Sequence, residues 1–258
     1  MKIWNSCLLI FFLIVIQPLS CLAQDSSSSR SASAVVRSAI EYWRSDTSIA
    51  IATMVVHRPA WERTMKMKSW TEGTNRSLIK FLEPAKDAGS ASLKDDATIW
   101  TFSPKINRAI KIPASMMSQS WMGSDFSYND LARDDDILEY YTHRFLPEQT
   151  EGNHKVFVIE AIPDEDSPIV WGKEILKIRD DSLLLAHEFY DQDLILVKRL
   201  ETLSTGIFDG KVFPKKMRMY SEERQGEWTE IIHNEIRFQV TLPKNLFTLS
   251  YLKNPRLF

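Results

Sequence analysis

The residues best suited to covalent or metal chemistry in this chain are five histidines, two cysteines and a few acidic runs. His57, His143, His154, His187 and His233 are scattered, and none stands at metal-ligand spacing from another. His187-Glu188 begins like a zinc-protease helix, but the next histidine is His233. No serine sits in a G-x-S-x-G elbow, and neither a phosphate-cradling loop nor a G-x-G-x-x-G turn occurs. Asp134-Asp135-Asp136 reads as a solvated turn and helix cap, and Asp164-Glu165-Asp166 as a loop, rather than as cation ligands. Paired carboxylates for glycoside hydrolysis assemble in space and not in sequence, so that chemistry stays open to the fold. The expectation is a protein that is not an enzyme, with no catalytic residue, no metal and no cofactor.

The cysteines belong to a targeting segment. Met1 and Lys2 give a short basic start, Cys7 to Ile16 is an unbroken apolar run closed by Pro18, and Cys21-Leu22-Ala23 supplies a cut site. This order predicts a signal peptide over residues 1–23, because the run falls short of the ~20 residues that span a bilayer. A second route is lipid anchoring at Cys21, against which Pro18 stands where such signals carry leucine. Cleavage after Ala23 sends a chain without thiols to the periplasm, so that its core alone must hold it together. Loss of Lys2 takes Lys+Arg from 32 to 31 against 34 Asp+Glu, moving the formal charge from −2 to −3. Nothing in that balance calls for nucleic acid, which needs a basic stripe.

The elements that would position any site are mostly strands. Residues 24–33 form a Ser-rich tether, and Val36, Ile40 and Trp43 give residues 34–43 a helical apolar face. From Ile49 the period changes to two. Strands are expected at Ile49–Val56, Arg63–Lys68, Ser77–Leu82, Ala97–Phe102, Arg108–Ile112, Ile137–Phe145, Lys155–Ile162, Lys173–Arg179, Leu183–Tyr190, Leu194–Leu203, Val212–Tyr220 and Trp228–Val240. A loop is expected through Gly89, and Pro113–Arg133 breaks the meander with short helices. These strands with mostly short links imply a mainly β, up-and-down antiparallel sheet, curled or partly closed. Residues 34–258 then make one domain.

One segment stands out by composition. Met116 to Leu131 holds three methionines and three aromatic residues between strands. Methionine suits surfaces that fit varied apolar partners, Gly123 permits positive φ, and Asp125 can cap a turn. By composition the segment is either an ordinary plug for one end of a barrel or a lid over a ligand. Trp121-Met122-Gly123-Ser124-Asp125-Phe126-Ser127-Tyr128-Asn129-Asp130-Leu131 resembles the F-M-G-S-D-F-S-Y-E-D-L signature of the outer-membrane lipoprotein-sorting-protein-like family, relatives of the carrier LolA. Trp100 to Lys105, Lys198-Arg199-Leu200 and Phe247 to Leu252 are similar to other family strings, in the same order. Trp121 replaces the usual Phe and Asn129 the usual acid.

The resemblance implies an incomplete antiparallel β-barrel, the LolA/LolB-like half-barrel, with short helices covering its apolar concave face. It implies a periplasmic carrier of lipid acyl chains or lipoproteins, which needs shelter for chains and no catalytic group. Cavity candidates are Met65, Met67, Trp70, Ile79, Phe81, Trp100, Phe102 and Ile110. Lid candidates are Met116, Met117, Trp121, Met122 and Phe126, and the signature residues are Gly123, Ser124, Asp125, Phe126, Tyr128, Asp130 and Leu131. Which face of each strand points inward stays open, since a slip of one residue reverses it. The alternative is a non-catalytic module that docks onto an inner-membrane transporter or envelope complex, its barrel filled by its own side chains. Transient contact with a membrane surface is compatible with both.

Overall fold

The computed structural model describes residues 30–132 and 135–253. The expected signal peptide, both cysteines, most of the tether and Asp134 lie outside the described residues.

Helix α1 (Ala32–Arg44) starts earlier than its periodicity indicates, because Ser31 caps it by accepting the Ala34 N–H at 3.2 Å. Among the described residues fourteen strands follow. They are β1 (Thr47–Arg58), β2 (Trp61–Glu72), β3 (Arg76–Glu83), β4 (Ala91–Asp95), β5 (Thr98–Ser103), β6 (Arg108–Lys111), β7 (Tyr141–Phe145), β8 (Gln149–Glu151), β9 (His154–Pro163), β10 (Lys173–Arg179), β11 (Leu184–Tyr190), β12 (Leu196–Phe208), β13 (Lys211–Ser221) and β14 (Trp228–Phe238). Between β6 and β7 lie two 3-10 turns, Ala114–Met116 and Trp121–Gly123, then α2 (Tyr128–Ala132) and α3 (Asp136–Glu139); α4 (Leu249–Lys253) comes last.

The strands form one antiparallel sheet in the order β6-β5-β4-β3-β2-β1-β14-β13-β12-β11-β10-β9-β7, with β8 also on β9. The sheet is open, with β6 and β7 at its two ends, and the chain joins those ends by crossing the concave face. Three local features differ from or add to the expectations. The loop through Gly89 is present, and Ala91–Asp95 after it is a strand the sequence did not indicate; its first four residues are buried on both faces, so polarity does not alternate along it. Residues 137–139 are helical rather than extended, because Ile137 and Leu138 pack on α1. The short strand β8 adds a further hairpin arm.

Alternation in β1 sorts the layers. Its even residues from Ser48 to Arg58 are all buried. Ala50 meets Tyr42 and Trp43 of α1, while Ala52, Met54 and Val56 meet the segment between β6 and β7. The rest of α1 lies on Ile159, Ala161, Leu176 and Ile178 of β9 and β10. The concave face is therefore filled by α1 on one half and by the crossing segment on the other. On the outer face Leu242, Leu246, Phe247 and Leu252 cover Trp70, Leu78 and Leu93.

Two lysines are buried in this arrangement, each 2 % exposed or less. Lys80 Nζ donates to the Tyr251 carbonyl at 3.1 Å. Burial pulls the Lys80 ammonium down to about 8, and burial with the Arg44 guanidinium pulls Lys94 down to about 8. Between there and the usual lysine range the unfolded chain holds protons that the fold has released, so stability rises with pH. The gain begins near pH 8 and ends near the ordinary lysine value. Urea unfolding of the wild type across that window should show the rise, and Lys80→Met should roughly halve it, leaving the share of Lys94, while raising stability near pH 7. A Lys80→Met protein that keeps the full slope would place its source elsewhere.

Candidate functional site

The turn of Pro59 and Ala60 sets the register of the first hairpin, so Met54 stands opposite Met65 and Ala52 opposite Met67. Phe81 of β3 pairs with Met67, and Ile79 with Ser69. Met54, Met65 and Phe81 have no solvent exposure, and Met67 has 7 %. They form an apolar floor under Trp121, Met122, Phe126, Tyr128 and Leu131. The Trp121 ring lies 5.5 Å from the Phe81 ring between centroids, and its Nε1 donates to the buried Ser92 Oγ at 2.9 Å.

The segment over this floor is a closed loop. Trp121 N–H donates to the Phe126 carbonyl at 2.7 Å, and Tyr128 N–H to the Gln119 carbonyl at 3.2 Å. Ser124 braces it from within, its Oγ donating to the Trp121 carbonyl and accepting from the Phe126 N–H. Met122 and Gly123 turn the chain with φ of 53° and 75°. An added Cβ on Gly123 would meet only Arg63 Nη1 at 3.9 Å, so the glycine serves conformation and not space.

Ionic links hold the loop to the sheet at two points. Asp125, with its side chain 1 % exposed, accepts from Arg58 Nη1 at 3.0 Å, Arg224 Nη2 at 3.0 Å and Thr229 Oγ1 at 2.7 Å. Arg58 also donates to the Gly123 carbonyl at 3.1 Å and pairs with Glu227 at 3.1 Å. Asp130 accepts from Lys198 Nζ with both oxygens at 2.7 Å and caps its own turn through the Ser127 N–H and Oγ. The Lys198 ammonium lies over Phe189 and Trp171.

The candidate residues are thus partly brought together. Met65, Met67, Ile79, Phe81, Trp121, Met122, Phe126, Tyr128 and Leu131 meet in one cluster, and Gly123, Ser124, Asp125 and Asp130 hold the loop there. Trp70, Trp100 and Phe102 do not join them; they pack on the outer face with Leu246 and Leu252. The reason is parity: Trp70 pairs through Leu78 and Leu93 to Trp100, on the side away from Met67 and Phe81. Met117 packs lower, with Ile99, Ile112 and Ala132. Met116 is 36 % exposed, and Ile110 is 48 % exposed on the edge strand. Sequence reasoning missed Met54, Ser92, Arg58, Thr229 and Lys198 as members of the site. The first follows from hairpin register alone; Lys198 lies in a family-like string that does not name its partner, and the others are single polar residues without a local motif.

The remaining polar groupings offer little chemistry. On the concave side Glu174 accepts from the Tyr141 hydroxyl and pairs with His187. Burial, and then the Glu174 carboxylate, push the Tyr141 phenol far above its usual range, so it keeps its proton as a donor. Burial lowers His233, which packs among Trp43, Phe208 and Phe213 as a core residue. The ligand atoms of His154, Asp180 and Asp181 lie within 4.8 Å of one another, but both Asp181 oxygens are held by Arg179. A cleft of about 700 Å³ with a mixed polar and apolar lining opens between the end of α1 and α3, with Arg37, Ile40, Glu41, Asp46, Leu138 and Glu139 on its walls. None of the cavity or lid candidates lines it.

A family model described as that of an uncharacterized "-like" protein matches residues 73–254. No curated protein matches the chain. Among solved structures, a DUF1329 family protein from Desulfovibrio piger superposes with a TM-score of 0.76 at 24% identity, covering 86% of this chain and 98% of that one. The same values hold for an outer membrane lipoprotein-sorting protein domain from Vibrio parahaemolyticus. A LolA superfamily protein from Nitrosomonas europaea follows at TM-score 0.71 and 20% identity, covering 86% of this chain and 99% of that one. These likenesses are of fold: one large antiparallel sheet that does not close.

Proposed function

This chain belongs to the outer-membrane lipoprotein-sorting-protein-like family, and from that premise we propose that it is a periplasmic carrier of lipid acyl chains, borne by a lipid or a lipoprotein. Export by the signal peptide over residues 1–23 is part of that reading. The observation that carries it is the methionine floor, Met54, Met65 and Met67, lying under a loop whose fastenings to the sheet are polar.

Magnitudes support exchange between loop and cargo. Trp121 is buried and Met122, Phe126 and Leu131 are half-buried, so at roughly 1.5–3 kcal/mol for a full side chain they contribute about 4–8 kcal/mol together. An acyl chain gains ~0.8 kcal/mol per buried CH2, so about a dozen methylenes give roughly 10 kcal/mol. The gain is at least as large as the loss, so a lipid chain can take the place of the loop's side chains without unfolding the sheet. Methionine is the residue that refits most easily between two such occupants.

The test is native mass spectrometry of protein purified from the periplasm without detergent, followed by titration of delipidated protein with a fluorescent long-chain fatty acid. Co-purified lipid or acylated peptide, and saturable uptake, are the expected results. Bare mass and no uptake would overturn the carrier. A second reading would then stand, favoured by the filled concave face: a non-catalytic module that docks onto an inner-membrane transporter or envelope complex.

A further inference from the structure

We propose that the free edge of β6 with its flanking turns, residues 105–116, is a docking surface for a bilayer bearing anionic headgroups. The charge pattern is the first observation. The chain carries 34 acidic residues, yet none falls between Ala97 and Ser124, where Lys105, Arg108 and Lys111 stand. All three are exposed, and among the described residues none is paired with a carboxylate. Lys253 of α4, the helix beside β6, adds a further exposed cation.

The second observation is apolar. Ile106 is 59% exposed, Ile110 48% and Met116 36%, interleaved with the cations. The third is position. Strand β6 ends the sheet and pairs only with β5. Basic and apolar side chains in alternation are what the headgroup region of an anionic bilayer accepts.

A bilayer fits better than an added peptide strand. Four residues, Arg108–Lys111, offer only a short ladder. A short edge with lysine on it discourages strand addition. Protection of the edge would explain the cations, but it leaves the exposure of Ile106, Ile110 and Met116 without a reason. Arg108 and Ile110 share one face with Thr101, whereas Lys111 points to the other with Trp100. A lipid interface takes up both faces at once; a strand partner reads only the backbone and one face at a time.

The chain runs from β6 through Pro113 directly into the loop over the methionine floor. Docking here would bring that loop to the lipid surface, a consequence that rests on the carrier reading, while the docking itself does not.

The test is flotation of the periplasmic protein with vesicles of phosphatidylglycerol and phosphatidylethanolamine, against vesicles of phosphatidylcholine alone. Binding should be confined to the anionic vesicles and weaken as salt rises. Lys105→Gln/Arg108→Gln/Lys111→Gln should lower the partition coefficient about 100-fold, roughly fivefold per charge. Ile106→Ser/Ile110→Ser should lower it about tenfold. Because every changed side chain is exposed, thermal unfolding should be unaltered. A control that removes Lys155, Lys177 and Lys215 should leave binding intact. No vesicle binding, equal loss in the control, or capture of an acidic extended peptide in place of vesicles would overturn the proposal. Fatty-acid uptake measured without vesicles separates the two readings: uptake that fails in every protein while vesicle binding persists sinks the carrier and leaves the docking edge standing.

Discussion

Trp121→Ala should destabilise the free protein by about 3–5 kcal/mol and at the same time tighten its hold on acyl chains. The first effect is a large-to-small change at a side chain that is 3 % exposed, with the added loss of the Ser92 partner. The second follows from where the tryptophan sits. If an acyl chain occupies the space over Met65, Met67 and Phe81, the indole is already displaced in the bound state, and its removal weakens the free state more than the bound one. A differential of about 2–3 kcal/mol is a gain in affinity of roughly 30- to 150-fold. Urea unfolding gives the first number and fatty-acid titration the second. Loss of stability without tighter binding would mean that the tryptophan is fixed core in both states, and that no cargo enters beneath it.

How far this site was legible follows from the same residues. The segment from Trp121 to Leu131 was legible through its likeness to a family string, since its composition alone fits a plug as well as a lid. Its floor was half legible. Met65 and Met67 alternate with lysines, and the Pro59 turn places Met54 across from Met65. Trp70, Trp100 and Phe102 misled, since β2 to β5 are apolar on both faces: the crossing loop covers one and the C-terminal segment the other. Parity cannot choose a face when both are buried. Strand β4 was hidden for the same reason, with Ala91, Ser92, Leu93 and Lys94 all buried. The partners of Asp125 could not be read at all. Arg58, Arg224 and Thr229 reach it from 67, 99 and 104 residues away, and a lone charge does not name its counterion.

That carboxylate carries the other large expected effect. Asp125→Ala should cost about 3 kcal/mol, toward the lower end for breaking a buried ion pair, because Arg58 keeps Glu227 and the Gly123 carbonyl. Arg58→Ala should cost at least as much, since it removes contacts to His57, Gly123 and Trp228 as well. The double substitution should fall short of the sum by more than 1 kcal/mol, the mark of direct coupling. Amide exchange tells whether the loss is local. The Trp121 N–H, bonded to the Phe126 carbonyl, should exchange faster in Asp125→Ala by a larger factor than the Met65 or Met67 amides. In that case the loop is a separately opening unit, as a lid for cargo requires. Uniform acceleration across loop and floor would make the loop an inseparable part of the core. The methionines would then be packing and nothing more, and the protein would act through its outer surface and edges.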